Sequence, residues 1–370
     1  MKHFTIMIKP ASSLCDMQCN YCFYSDVSSL RQTFSTGIMS RETASKIIEN
    51  IFLELDDKDH VTFAFQGGEP TLVGLDFFVF FAEKVESIKK TVTVHYALQT
   101  NGLTLNDEWC EFFSRFRFLI GLSLDGDIAL HNQNRKDEQS KGTYARVISA
   151  KKLLDSHAVD YNILCVLTAE TSRRANRLWN YILNENIRYI QFIPCLEPLS
   201  SESKHAGALV SKKFYQFYNA LFPLWKKEAQ KGNVISVQLF DDLAALLLYR
   251  QRVTCGISGG CNLQMIVESD GSVYPCDFYV LDEYYLGNFA HQTLQEIFDI
   301  AIDSNFLKDS NRMSQCCKSC THYKWCQGGC RRMNKAVYGE NCGMKLFLDK
   351  HLKELLSVFM QINNEKIRDK

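Results

Sequence analysis

Three cysteines fall within eight residues of "CDMQCNYCFY": Cys15, Cys19 and Cys22, spaced C-x3-C-x2-C. Thiols so closely spaced in a chain suit a metal centre, and two centres fit. An iron–sulfur cluster usually takes four thiolates. Zinc also accepts C-x2–4-C spacing, its last ligand coming from elsewhere in the chain. If the centre is a four-iron cluster, three thiolates leave one iron with an open position for a substrate. Phe23 and Tyr24 directly behind Cys22, and a short apolar run in front, favour the cluster.

A larger set follows between residues 255 and 342. Cys255 and Cys261 flank "GISGG", and Cys276 ends "SDGSVYPC". The run "CCKSCTHYKWCQGGC" gives C-x2-C-x5-C-x3-C at Cys317, Cys320, Cys326 and Cys330, and Cys342 comes last. Those eight thiols are what two fully ligated four-iron clusters require. A pair of four-cysteine zinc sites in a zinc-ribbon-like module is the alternative. Cys316 duplicates a ligand position, and the C-x2-C spacing to Cys320 favours Cys317. Cys110, Cys165 and Cys195 stand alone.

Fifteen cysteines in 370 residues is below the ~8–10% of disulfide scaffolds. In a reducing compartment such cysteines more often bind metal than each other. The opening apolar run is too short for a signal peptide, and no apolar stretch reaches the ~20 residues that span a bilayer. A cytoplasmic protein is expected. Lys+Arg and Asp+Glu both number 42, so charge favours neither nucleic acid nor a membrane surface as partner.

Alternating strand-like and helix-like segments must position these thiols. Predicted strands at 4–9, 61–65, 93–99, 118–124, 161–168 and 189–196 are separated by helical patterns, among them 41–55 with Ser40 as its N-cap. Six β–α pairs in succession imply parallel strands with right-handed crossovers. Six falls short of a closed eight-fold barrel, so an α/β partial (β/α)6 barrel is expected over residues 1–234. In such folds the chemistry sits at the C-terminal strand ends. There lie the first cysteines, "QGGEP", "LQTNG", "SLDG" and "PCLEP". Residues 235–370 read as a cysteine-rich domain with little regular structure and a C-terminal helix.

C-x3-C-x2-C after the first strand of a partial barrel resembles the radical S-adenosylmethionine (SAM) superfamily. There the open iron chelates SAM, and one electron splits it into methionine and a 5′-deoxyadenosyl radical. "QGGEP" is, on its residues, a turn after a strand or a close backbone approach to a ligand. It is similar to the family's GGEP element, which implies that Gly68 meets the SAM amine. Ser123, Arg135, Tyr21 and Leu196 resemble further SAM contacts, and a guanidinium at Arg135 suits a carboxylate. The second cysteine set resembles a SPASM domain. That likeness implies one auxiliary cluster on Cys255, Cys261, Cys276 and Cys330, and another on Cys317, Cys320, Cys326 and Cys342.

"IKPASSLC", "FAFQGGEPTL", "LQTNG", "GLSLDG", "HNQNRKD" and "VESDGSVYPCDFYVLDEYYLGN" together look like the anaerobic sulfatase-maturating enzymes, from about residue 7 to 345. The resemblance implies three [4Fe-4S] clusters and SAM as cosubstrate. It implies oxidation of a Cys or Ser in a sulfatase C/S-x-P/A-x-R motif to Cα-formylglycine. The partners implied are an unfolded or nascent sulfatase chain and an external one-electron donor such as flavodoxin or ferredoxin. Asp277, next to Cys276, would be the base; Tyr24, Gln66 and Gln99 resemble peptide-contacting residues. Two other readings remain open at this point. One is a SPASM enzyme forming thioether crosslinks. Such enzymes often carry an extra N-terminal recognition domain, and only fourteen residues precede Cys15. The other is a non-catalytic zinc-binding interaction module, which would purify colourless and zinc-loaded.

Overall fold

The structure, a computed structural model, describes residues 2–200, 205, 207–251, 254–257, 259–308 and 315–368, with side chains as far as 362. All six expected strands form: β1 (His3–Ile8), β2 (His60–Phe65), β3 (Thr93–Thr100), β4 (Phe118–Ser123), β5 (Tyr161–Leu167) and β6 (Tyr189–Pro194). Each pairs in parallel with the next. A seventh, β7 (Ser236–Val237), extends the series beside β6. The cysteine-rich part adds β8 (Met265–Val267), β9 (Ser272–Tyr274) and β10 (Gly287–Asn288). β8 runs parallel to β1, and β8, β9 and β10 form an antiparallel meander. One sheet of order β10-β9-β8-β1-β2-β3-β4-β5-β6-β7 results, open at β10 and β7. It therefore runs through residue 234, and the second cysteine set is anchored to the strand that precedes the first.

The crossover helices form where apolar spacing asks for them. Arg41–Phe52 begins at Ser40, whose side chain accepts the Thr43 N–H at 2.9 Å and so satisfies one of the unpaired amides of the first turn. Its Ala44, Ile47, Ile48 and Ile51 recur at helical spacing and are fully buried. Each of the three isoleucines contributes about 1.5–3 kcal/mol on that account. Behind β2 an aromatic layer fills the core. Phe65 meets Phe78 edge to face at 4.9 Å, and Phe63 meets Phe81 at 5.1 Å. The C-terminal helix Gly343–Arg368 lies on the helix Ser211–Ala229 through Phe347 and His351, 6.0 and 4.7 Å from the Phe222 ring. No helix among the described residues is long and apolar enough to cross a membrane.

Candidate active site

The C-terminal ends of β1 to β6 open onto one cavity of about 990 Å³, part of it in contact with solvent. Cys15, Cys19 and Cys22 line it, as do Tyr21, Tyr24, Gln66, Gly68, Gln99, Ser123, Arg135, Leu196 and Asp277. Residues spread over 263 positions of sequence thus meet in one place. Cys15 and Cys19 sit in the loop after β1, and Cys22 caps the short helix Phe23–Ser29. The Met17 N–H donates to Cys15 Sγ and the Ser25 N–H to Cys22 Sγ, each at 3.4 Å. Amide donors of this kind stabilise thiolates. Burial pushes the Cys19 thiol up to about 11 while Arg135 draws it back, and burial raises Cys15 further. Deprotonation here is consequently linked to metal binding, which releases the protons.

Gly68 is fixed by backbone contact. Its N–H donates to Ser12 O at 2.8 Å, and the Glu69 N–H donates to Leu14 O at 2.7 Å. These two bonds stitch the "QGGEP" loop to the cysteine loop. A Cβ on Gly68 would lie 1.9 Å from Leu14 O. Gly68→Ala is therefore expected to displace the cysteine loop at a cost of at least about 1–3 kcal/mol. Melting temperature and bound iron check this; a variant unchanged in both contradicts it.

Glu69 organises the next two loops. Its buried carboxyl accepts from Thr71 N–H and Oγ1, Thr100 Oγ1 and the Asn101 N–H, at 2.7–3.1 Å. Burial nonetheless pushes it up to about 7. On the far wall Asp125, after β4, pairs with the Arg135 guanidinium at 3.1 and 3.2 Å. It also accepts from the Tyr21 hydroxyl and the Val166 N–H. Arg135 is thus held in the cavity wall by a fixed carboxylate, with further N–H donors remaining in its fork.

Asp277 faces the cavity from the cysteine-rich part. Its Oδ1 lies 2.6 Å from Lys9 Nζ, and that ammonium sits 3.8 Å above the Tyr24 ring. Tyr24 turns its hydroxyl away to Glu268, which also pairs with Arg31 at 3.0 Å. What Tyr24 offers the cavity is its ring. Lys9, Arg31 and Glu268 are buried, so the network balances two cations against two carboxylates at the seam between β1 and β8. Unpaired, any of these charges would be costly to bury.

The remaining cysteines divide as the spacing allows. Cys330 donates its N–H to Gly256 O at 3.1 Å, and the Cys261, Cys276 and Cys330 thiols are each raised by burial first and in smaller part by the neighbouring Cys255. Cys316, Cys317, Cys320, Cys326 and Cys342 wall a separate cavity of about 350 Å³. Among the described residues no three His, Cys, Asp or Glu groups converge closely enough for a single metal ion. A four-iron cluster suits wider spacing, because each thiolate binds a different iron. The donor sets of three, four and five thiols fit such clusters.

Sequence reasoning did not single out Lys9, Glu69, Asp125 or Glu268. Each is a charged residue ending or following an apolar strand in a quoted motif, and that was the available signal. Cys195, set apart in the sequence, lines the same cavity at the end of β6.

Comparison with known proteins agrees with this geometry. The Radical SAM superfamily model matches residues 10–174, and a model of an iron–sulfur cluster-binding domain, SPASM, matches residues 260–321. The cysteine-type anaerobic sulfatase-maturating enzyme of Clostridium novyi (strain NT) is 39% identical over 353 residues, covering 94% of this chain and 93% of its own. The serine-type enzyme of Bacteroides thetaiotaomicron is 29% identical over 358 residues, 92% and 86% of the two chains. The solved structure of native anSMEcpe with bound AdoMet and Cp18Cys peptide superposes with a TM-score of 0.88 at 37% identity, over 98% of this chain and 99% of that one. Streptococcus suis SuiB, bound to its precursor peptide SuiA, shares the fold at a TM-score of 0.63 and 17% identity, covering 92% of this chain and 76% of its own. With such relatives matched along nearly its whole length, the chain belongs to the anaerobic sulfatase-maturating enzymes of the radical SAM superfamily.

Proposed function

We propose that this enzyme oxidises a cysteine in a sulfatase C-x-P-x-R segment to Cα-formylglycine. The observation that carries the reading is the single cavity in which the three-thiol loop and Asp277 face each other. Cysteine is preferred over serine as the target because identity to the cysteine-type relatives is 39–41%, against 29% for the serine-type ones. The family assignment speaks against both the thioether-forming enzyme and the zinc module.

Cys15, Cys19 and Cys22 would hold the cluster that binds SAM, and the sets ending in Cys330 and Cys342 would hold two auxiliary clusters. When bound, these groups supply the 5′-deoxyadenosyl radical that removes a hydrogen atom from Cβ, and acceptors for the electron left behind. The chain's own residues do the rest. Gly68, Ser123, Arg135, Tyr21 and Leu196 would cradle SAM. Gly68 N–H is committed to Ser12, so it is the Gly68 carbonyl that can accept from the amine. Arg135, steadied by Asp125, would take the carboxylate. Gln66, Gln99 and the Tyr24 ring would contact the peptide.

Asp277 would accept the target thiol proton, being aimed into the cavity and held by Lys9. The thioaldehyde left on the peptide exchanges sulfur for the oxygen of water, releasing hydrogen sulfide. The boundary near residue 234 separates the part that would bind SAM from the part that would carry electrons outward. An external one-electron donor such as flavodoxin or ferredoxin would reduce the enzyme, in the cytoplasm.

The test is to incubate reduced enzyme with SAM and peptides carrying C-x-P-x-R or S-x-P-x-R, then weigh the products. The cysteine peptide is expected to lose sulfur and gain oxygen at the target residue, and faster than the serine peptide reacts. Conversion of neither peptide overturns the proposal. Equal conversion of both overturns the preference alone.

A further inference from the structure

Five thiols surround the cavity near the C-terminal helix, and a fully ligated four-iron cluster uses four. Cys316 and Cys317 are neighbours in the 3₁₀ turn Gln315–Cys317, where successive side chains diverge by a third of a turn. Both nevertheless line the same cavity with Cys320, Cys326 and Cys342. As adjoining residues of one short turn that both line this cavity of about 350 Å³, the two thiols face the same space. A four-iron cluster takes one thiolate per iron, so one of the five is surplus, and the adjoining pair is where two thiols meet one corner.

Spacing permits either occupant. Cys317 stands C-x2-C to Cys320, and Cys316 stands C-x3-C to it. The N-terminal loop of this same chain uses both spacings, C-x3-C from Cys15 to Cys19 and C-x2-C from Cys19 to Cys22. Cys316 is held on the other side by a 3.7 Å contact to the Gly339 carbonyl. A thiol is a weak donor, so leaving that contact for an iron is a net gain.

We propose that Cys316 is a reserve ligand of this auxiliary cluster, able to take the iron corner of Cys317. The inference rests on the reading that the cavity holds a four-iron cluster. Anaerobically reconstituted Cys316→Ala, Cys317→Ala and the double variant should be compared for iron per chain and for Cys316 alkylation by iodoacetamide, read by mass spectrometry. Each single variant is expected to keep the full iron of the parent enzyme. The double variant should lose about a third of it, one cluster of three. Cys316 should be alkylated in the parent holoenzyme and protected in Cys317→Ala.

If Cys317→Ala loses as much iron as the double variant, or its Cys316 is alkylated as readily as in the parent, the reserve role is overturned while the cluster site stands. Full iron in the double variant overturns the site as well as the reserve role. Cys317→Ser, which keeps a polar group in place, replaces Cys317→Ala if the latter fails to fold; because a serine oxygen can itself bind iron, protection of Cys316 from alkylation then decides.

Discussion

Cys19→Ala is expected to reduce 5′-deoxyadenosine formation to background, with Cys15→Ala and Cys22→Ala behaving alike. Three thiols in one loop are what the cavity provides after β1. A four-iron cluster anchored by three thiolates already has one iron without a protein ligand, and removing another leaves two points of attachment. Cys19 is also the thiol on which the buried Arg135 acts most directly. Its loss would therefore take away both a proposed ligand and the sulfur that Arg135 faces. The fold should survive, because the three cysteines lie in a loop and at a short helix cap, outside the buried strand residues. The measurement is 5′-deoxyadenosine per enzyme under reducing conditions, alongside far-ultraviolet circular dichroism. A folded variant that still cleaves SAM contradicts the assignment of these thiols.

Asp277→Asn should separate two events that the wild-type enzyme couples. SAM cleavage is expected to continue, since Asp277 lies outside the three-thiol loop and reaches the cavity from the β8–β10 side. Formylglycine yield should fall by about 10²–10⁴, the usual contribution of a positioned general base. The asparagine amide keeps the shape of the side chain and cannot take the proton. It also leaves Lys9, 1% exposed, without its carboxylate. Leaving one charge of a buried pair uncompensated costs about 3–5 kcal/mol, so the variant should melt at a lower temperature. Activity must be read well below that melt. Formylglycine formation at the wild-type rate would remove Asp277 from the mechanism.

Strand order and the position of the site were legible because period and punctuation agree along the first half of the chain. Three of the β-rich runs end at glycine, asparagine or aspartate punctuation, "QGGEP", "TNG" and "DGD", and helical spacing follows, as at "VTFAFQGGEP" before Leu75–Ile88. The four short strands were not legible. β7 has two residues and β8 three, too few to show alternation, and pairing between β8 and β1 is a contact across more than 250 residues. That pairing brings Asp277 to Lys9.

The cysteine count exposed the metal chemistry, since ligands need particular residue types. The carboxylates that steady the site were harder to see. Glu69 and Asp125 look in sequence like solvated loop residues, and their burial depends on loops from three strands converging. The "QGGEP" pattern points to close approach of a ligand at Gly68; the structure adds a nearer reason, the Leu14 carbonyl 1.9 Å from where its Cβ would be.

If this cavity directs a radical from SAM onto the target side chain, the hydrogen atom taken from Cβ must appear in the 5′-deoxyadenosine. The enzyme is reduced with SAM and a C-x-P-x-R peptide whose target cysteine carries deuterium at Cβ, and the 5′-deoxyadenosine is weighed. Deuterium is expected in the 5′-deoxyadenosine, accumulating in step with formylglycine. Formylglycine accompanied by unlabelled 5′-deoxyadenosine would contradict it.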